Sequence, residues 1–411
     1  MLHLHFGCGK LGLGLVAPYL KTAKSELFLL NRSGANAGDE PPSPQHALSS
    51  KKRNSLLYTE GGDYALSNGS ATARTRVTYD RFASYDDVTI AAVVRSLLEC
   101  SQHCDAGVIV TASLVYLKHY EAVMRALEAL CEAREQAPER IGDIYFIACE
   151  NMFSAKDVLA HPPFHALLGK PHGRTVCCVD AIVDRICSRL DTFTEEGQEI
   201  LLVCTEPYGK LTLELPEGRP AFAALLSGSR AKFSQHLAAE RDIKGWLLNG
   251  SHWLIALTAF RETNGNPEVK LNAFITESIM HRYYAGEIIT EMRQGVEALL
   301  RADPTYAAFL HDIDITAYLD HAAASILMRF ASNEDSIVRI LRRFRAPSVE
   351  DVGAVQTFVD SLLQKIERPL HAYGTQYGAA PRASTEALMN VLRLQAAATY
   401  PNPPANSQHL N

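Results

Sequence analysis

The chain has 411 residues, 47% of them apolar and 21% charged, with a formal net charge of −6. That length exceeds one ordinary core and predicts two or three domains of a soluble globular protein. The mixed charge argues against a nucleic-acid surface or a polybasic membrane patch, and no apolar run reaches the ~18 residues that span a bilayer. The nine cysteines are scattered at 8, 100, 104, 131, 149, 177, 178, 187 and 204, an odd set that fits a reducing compartment rather than a disulfide framework. No small-residue cleavage site follows the N-terminus, so a cytoplasmic location is expected. Cys100, His103 and Cys104 lie close together, but no second cluster completes four metal ligands, and they read as helix-surface and core residues.

In chain order, "LHLHF" predicts a strand, the glycines at 7, 9, 12 and 14 a tight turn, and "LVAPYLKTA" a helix. "ELFLLN" (26–31) has strand length, and the polar, Pro- and Gly-containing stretch 33–53 reads as a surface loop. Residues 64–79 alternate around Asn68-Gly69, a hairpin signal. "VTIAAVVRSLLE" is helical, "AGVIVTAS" (106–113) a buried strand, "YLKHYEAVMRALEALCEAREQ" an amphipathic helix and "IYFIACEN" (144–151) another buried strand. That alternation predicts βαβ units and a parallel sheet, with extended structure over 197–216 closing this half. Beyond about 230 the patterns are helical, over 232–240, 242–262, 270–302, 305–330, 335–345, 349–368 and 384–398, with no convincing strand. The expected architecture is an α/β Rossmann-type domain with a parallel sheet over 1–225, an all-helical domain over 226–398 and a flexible tail over 399–411.

Gly7-x-Gly9-x-x-Gly12 lies between strand and helix at the start of a βαβ unit, the context of the dinucleotide fingerprint. One glycine makes the turn, the next lets backbone N–H groups approach a pyrophosphate, and the third lets helix pack on strand. The helix N-terminus turns its positive dipole end to the phosphates. The candidate cofactor residues are therefore Gly7, Gly9, Lys10, Leu11 and Gly12, with Asn31 and Arg32 after the second strand. NAD-binding folds usually carry Asp or Glu there for the ribose 2′-OH. Here Asn31-Arg32-Ser33 has no carboxylate to repel a 2′-phosphate and offers a guanidinium with a hydroxyl beside it, so NADP is expected over NAD.

"DIKGWLLNGSHWLIALTAF" (242–260) sets Lys244, Asn249 and His252 among Trp246, Leu247, Leu248, Trp253, Leu254, Ile255 and Leu257. On a regular α-helix Asn249 and His252 share a face, and Lys244 falls within about 140° of Asn249. Left unpaired, such groups would each cost about 1–3 kcal/mol, so they either hydrogen-bond within the core or serve chemistry. Hydride removal from an alcohol carbon needs a base for the hydroxyl proton and donors for the developing alkoxide. A Lys desolvated among apolar groups can be that base near neutral pH, and an Asn amide with a His N–H can form the oxyanion site without a metal.

With these residues the chain resembles the polyol-specific long-chain dehydrogenases, the family of mannitol 2-dehydrogenase, mannitol-1-phosphate 5-dehydrogenase and the hexuronate reductases. The matching features are "HFGCGKLGLG", "IACEN" (147–151), "VDAIVDRI" (179–186), "TEP" (205–207), the Lys244/Asn249/His252 pattern and "RRFRAP" (342–347). The resemblance implies a Rossmann domain followed by a helical substrate domain, with the active site between them. It implies Lys244 as general acid/base, Asn249 and His252 polarising the substrate oxygen, and Asn151 near both the nicotinamide and the reacting oxygen. Asp184 would lie beside the site, or serve as a partner of Arg185 or a backbone cap. The substrate would be a polyol, a polyol phosphate or a sugar acid, and the protein a monomer or small homo-oligomer.

The chain also departs from the family. Asn31-Arg32 replaces the usual Asp, and the loop 33–57 is longer and more polar. Where an Arg that grips the distal substrate is expected, the chain has Val355; Lys365 fits the second clamp position after a short insertion, and Arg342, Arg343 or Arg345 could rebuild the first. A 6-phosphogluconate or β-hydroxyacid dehydrogenase is a competing reading, but those enzymes space Lys and Asn about four apart with no His three later. A nucleotide-binding regulator that has lost turnover is the other, against which the intact Lys244, Asn249 and His252 argue.

Overall fold

The first strand, β1 (Leu2–Phe6), alternates Leu with His, and every one of its side chains is buried. The structure, a computed structural model, describes residues 1–31, 55–60, 74–85, 87–99, 107–114, 117–150, 155–162, 164–165, 176–195, 198–266, 269–332, 335–341 and 352–390. The further strands are β2 (Glu26–Asn31), β3 (Ser55–Glu60), β4 (Arg74–Thr78), β5 (Arg81–Ser84), β6 (Val108–Ala112) and β7 (Ile144–Ala148). They continue with β8 (Val176–Val179), β9 (Ala181–Asp184), β10 (Cys187–Glu195), β11 (Gln198–Thr205), β12 (Lys210–Glu214) and β13 (Lys232–Ser234).

Six strands pair in the order β5-β2-β1-β6-β7-β8, all parallel. The chain winds outward from β1 in both directions, so the order reverses between β1 and β6, where open α/β sheets bind ligands. Because side chains alternate across a strand, each face of the sheet has its own core. Leu2, Leu4 and Phe6 join Val110, Phe146 and Leu127 of the helix Glu121–Gln136 on one face. On the other, Leu15, Val16 and Tyr19 pack on Ile109, Tyr145 and Ile147. This is the parallel-sheet α/β architecture expected from the strand–helix alternation.

Two smaller sheets complete this part of the chain. One has the order β10-β11-β3-β4 and the other β13-β12-β9. β3 and β4 pair antiparallel, with Ser55 opposite Thr78 and Thr59 opposite Arg74; the hairpin expected around Asn68-Gly69 lies outside the described residues. The helix expected over 232–240 is corrected. Lys232–Ser234 is a strand pairing in parallel with Thr212–Glu214 of β12, and helix begins only at Leu237. Pairing with an open sheet edge satisfied this backbone, which outweighed the local helical pattern. The chain forms two compact units, Met1–Leu237 and Ala238–Asn411.

The second unit is helical around Trp253, Leu254, Leu257, Phe274, Met292 and Phe330. Its helices among the described residues include Leu237–Ile243, Ser251–Glu262, Leu271–Glu277, Ile279–Ala302, Ile315–Ser332, Ile337–Leu341 and Val352–Tyr377. The helix expected over 270–302 is two helices. Ser278 is extended, and its hydroxyl accepts from the His281 N–H, which stops one helix and caps the next. Among the described residues no helix is long and apolar enough to cross a membrane.

Candidate active site

Three glycines of the fingerprint do three different things. Gly7 has φ +96°, and a Cβ there would press on the backbone of Ser113, so only glycine fits. A Cβ at Gly9 would meet nothing within 4 Å. At Gly12 it would collide with the Gly7 carbonyl and the His5 ring. Helix begins at Lys10 and Leu11 and widens at once into a π turn, Gly12–Val16, in which the Ala17 N–H donates to the Gly12 carbonyl. The result is a turn whose underside is filled by strand and histidine while its Gly9 face stays open. Cys8 is fully buried with its thiol donating to the Leu30 carbonyl, 3.6 Å away, and burial pushes that thiol well above its usual range.

The "VDAIVDRI" and "TEP" segments hold this turn from behind. Arg185 is buried and donates from Nη1 to the Gly14 carbonyl (3.0 Å), and from Nε and Nη2 to the Glu206 carbonyl (3.1 and 2.9 Å). Its guanidinium also stands over the Tyr19 ring, 5.6 Å from the centroid. Glu206, 1% exposed, accepts from the Ile186 N–H at 2.6 Å. Asp184 ends β9 opposite Lys210, half-buried. Asn31 closes β2 with its carbonyl accepting from the Tyr85 N–H at 2.9 Å. Arg32 and Asn151, like Cys100, His103, Cys104, Arg342, Arg343 and Arg345, lie outside the described residues.

In the second unit, Lys244–Gly250 is a π turn between Leu237–Ile243 and Ser251–Glu262. This alters the geometry expected from a regular helix. A π turn closes i→i+5 rather than i→i+4, so Lys244 and Asn249, five apart, come closer around the axis than the about 140° of a regular helix. His252 follows on the first turn of the next helix. Trp246, Leu247 and Gly250 are buried, while Lys244, Asn249 and His252 are half-buried. Lys365 runs alongside: its Cδ would lie 3.9 Å from a Cβ at Gly245, and its carbonyl 3.8 Å from one at Gly250. The structure thus gathers Lys244, Asn249, His252 and Lys365 around one π turn. Its flank is pinned by Trp246, edge-on to Tyr306 at 6.0 Å and under the Arg368 guanidinium at 5.3 Å.

His252 stacks on Phe330, with ring centroids 4.5 Å apart and planes 18° from parallel. Its Nε2 lies 3.5 Å from Oδ2 of Asp335, a carboxylate whose side chain is 2% exposed. Asp335 is itself fixed. Arg339, one helical turn on, donates to both of its oxygens, and the Leu271 N–H donates to its backbone carbonyl at 2.8 Å. Sequence spacing could not have found Asp335, because nothing in "SNEDSIVRI" marks it as a neighbour of "NGSHW". His3, His5 and Thr111 form a second buried polar group beside the glycine turn, and two histidines alternating on a strand ahead of spaced glycines are its signal in the sequence.

No protein-family model matches the chain, and no curated protein matches its sequence. Solved structures do match. One is a D-sorbitol dehydrogenase in substrate-free form, 13% identical, with a TM-score of 0.60, aligned over 95% of this chain and 80% of that one. Another is the Pseudomonas fluorescens mannitol 2-dehydrogenase in ternary complex with NAD and D-mannitol, 17% identical, with a TM-score of 0.50, over 96% and 91% of the two chains. The likeness is one of fold. It agrees with the parallel-sheet domain and the helical region that follows it.

Proposed function

We propose that this protein is a metal-independent, NAD(P)-dependent oxidoreductase that acts on a secondary alcohol of a polyol, polyol phosphate or sugar acid. The observation that carries the proposal is the π turn that holds Lys244 and Asn249, followed three residues on by His252 and flanked by Lys365. An amine, an amide and an imidazole gathered there are a base and two polarising groups for one oxygen. The fold likeness to a sorbitol and a mannitol dehydrogenase supports the same reading.

The glycine turn fits a dinucleotide. Its Gly9 face is the place a Cβ would fill, and the Lys10 helix start lies behind it. Gly7, Gly9, Lys10, Leu11 and Gly12 would hold the pyrophosphate, with Asn31 and Arg32 at the adenosine ribose. The absence of a carboxylate at Asn31 favours NADP. With the dinucleotide held there, its nicotinamide would supply the hydride acceptor.

In alcohol oxidation the Lys244 amine takes the hydroxyl proton as the carbon gives up its hydride, and returns it in the reverse direction. The Asn249 amide donates to the oxygen as charge develops on it. The His252 ring, whose Nε2 lies 3.5 Å from Asp335, polarises the substrate oxygen together with Asn249. Lys365 holds the distal hydroxyls or acid group, and Asn151 and Asp184 are the further candidate substrate residues. A panel of polyols, polyol phosphates and sugar acids, assayed with each cofactor by absorbance at 340 nm, tests the reading. Turnover of a secondary alcohol with NADP is expected. Cofactor binding without turnover of any member would favour a nucleotide-binding regulator instead.

A further inference from the structure

His3 and His5 are both wholly buried on one face of β1, and Thr111 lies on the neighbouring strand opposite His5. The Thr111 hydroxyl is 2.8 Å from His3 Nε2 and 2.8 Å from His5 Nδ1, and His5 Nε2 is 3.1 Å from the Gly7 carbonyl. These contacts have one self-consistent proton assignment. A carbonyl only accepts, so His5 Nε2 carries the proton and donates to Gly7. The neutral ring then accepts at Nδ1, which makes Thr111 the donor there. The Thr111 oxygen is left to accept from His3 Nε2–H. Burial holds both rings neutral: it pulls His5 down to about 4 and His3 well below its usual value. A directed chain therefore runs His3 to Thr111 to His5 to the carbonyl of the first fingerprint glycine.

The end of that chain is a point of control. A trans peptide carries its C=O and N–H on opposite sides, so a Gly7 carbonyl turned down onto His5 turns the Cys8 N–H the other way. The same His5 nitrogen occupies the space that any Cβ at Gly12 would enter, at the start of the helix. One imidazole thus meets the strand, the first peptide of the turn and the first helical turn.

We infer that His5 is a positioning residue for the dinucleotide-binding turn, anchoring the Gly7 peptide through Nε2–H so that the backbone donors of the turn face the cofactor phosphates. This rests on the cofactor reading proposed above. Two substitutions divide the ring: Asn places its amide where Nδ1 was and keeps Thr111, whereas Gln carries an N–H out to the Nε2 position and keeps Gly7. Fluorescence titration of NADH and NADPH is expected to give at least a fivefold higher Kd for His5→Asn. His5→Gln should recover most of that loss. Equal Kd changes in the two variants, or none in either, would overturn the positioning role. Wild-type protein that binds neither dinucleotide would reject the cofactor site, and the role with it.

A measurement on the unaltered protein covers the case in which the variants fail to fold. In imidazole ¹⁵N NMR, two rings should stay neutral from pH 8 to pH 5, both as the Nε2–H tautomer. A His3 or His5 ring in the Nδ1–H form would break the chain and refute the assignment.

Discussion

His252 Nε2 faces the buried carboxylate of Asp335 across 3.5 Å, while Phe330 covers the face of the ring. Asp335 thus stands where it can orient the His252 ring. Asp335→Asn should keep the packing but release the ring from that orientation. The expected result is a fall in kcat/KM of at least about tenfold, since small misplacements of an orienting group cost up to about a hundredfold. Steady-state kinetics beside a thermal melt check it; a melt that shifts while kinetics hold would make Asp335 purely structural.

The fingerprint glycines should separate into two phenotypes. Gly9→Val adds its side chain to open space, so dinucleotide binding should be lost with little change in Tm. Gly12→Val drives its side chain into Gly7 and His5, an overpacking that costs about 1–3 kcal/mol or more and should lower Tm as well. Differential scanning fluorimetry with and without cofactor distinguishes them. Undiminished cofactor binding by Gly9→Val would reject the site.

Lys244→Ala should lower kcat by about a hundredfold or more, the scale of removing a general base. Small primary amines should restore part of the loss. Asn249→Ala should slow both directions, because the alkoxide-like transition state is shared. A Lys244→Ala variant with more than about a third of the wild-type kcat, or activity lost to EDTA and restored by zinc or magnesium, would end this scheme.

Acid should destabilise the first unit through His3 and His5. Both have pKa values lowered by burial in the folded state, so below about pH 6.5 the unfolded chain binds more protons and stability falls as pH falls. For His5 the window runs from 6.5 down to about 4 and is worth about 3 kcal/mol. Urea unfolding at a series of pH values should give a steeper decline for wild type than for His5→Gln, which has no group to protonate there.

Local pattern was enough for the elements that local energetics decide. The strands at "LHLHF", 26–31 and within 106–113 each carry their pattern within a few residues and formed, and the helix expected over 116–136 is α-helical over Glu121–Gln136 after a 3-10 turn at Leu117–Tyr120. The sheet order follows, because strand–helix–strand connections have few ways to close. What spacing could not supply are relations that depend on partners distant in the chain or on departures from regular geometry. Lys232–Ser234 became a strand because β12 offered an edge. Lys244 and Asn249 stand closer around the axis than on a regular helix because the chain opens into a π turn, which a 3.6-residue period does not anticipate. Asp335 reaches His252, Arg185 reaches Gly14, and Thr111 joins His3 to His5 only once packing excludes water and every buried polar group must find its partner inside the protein.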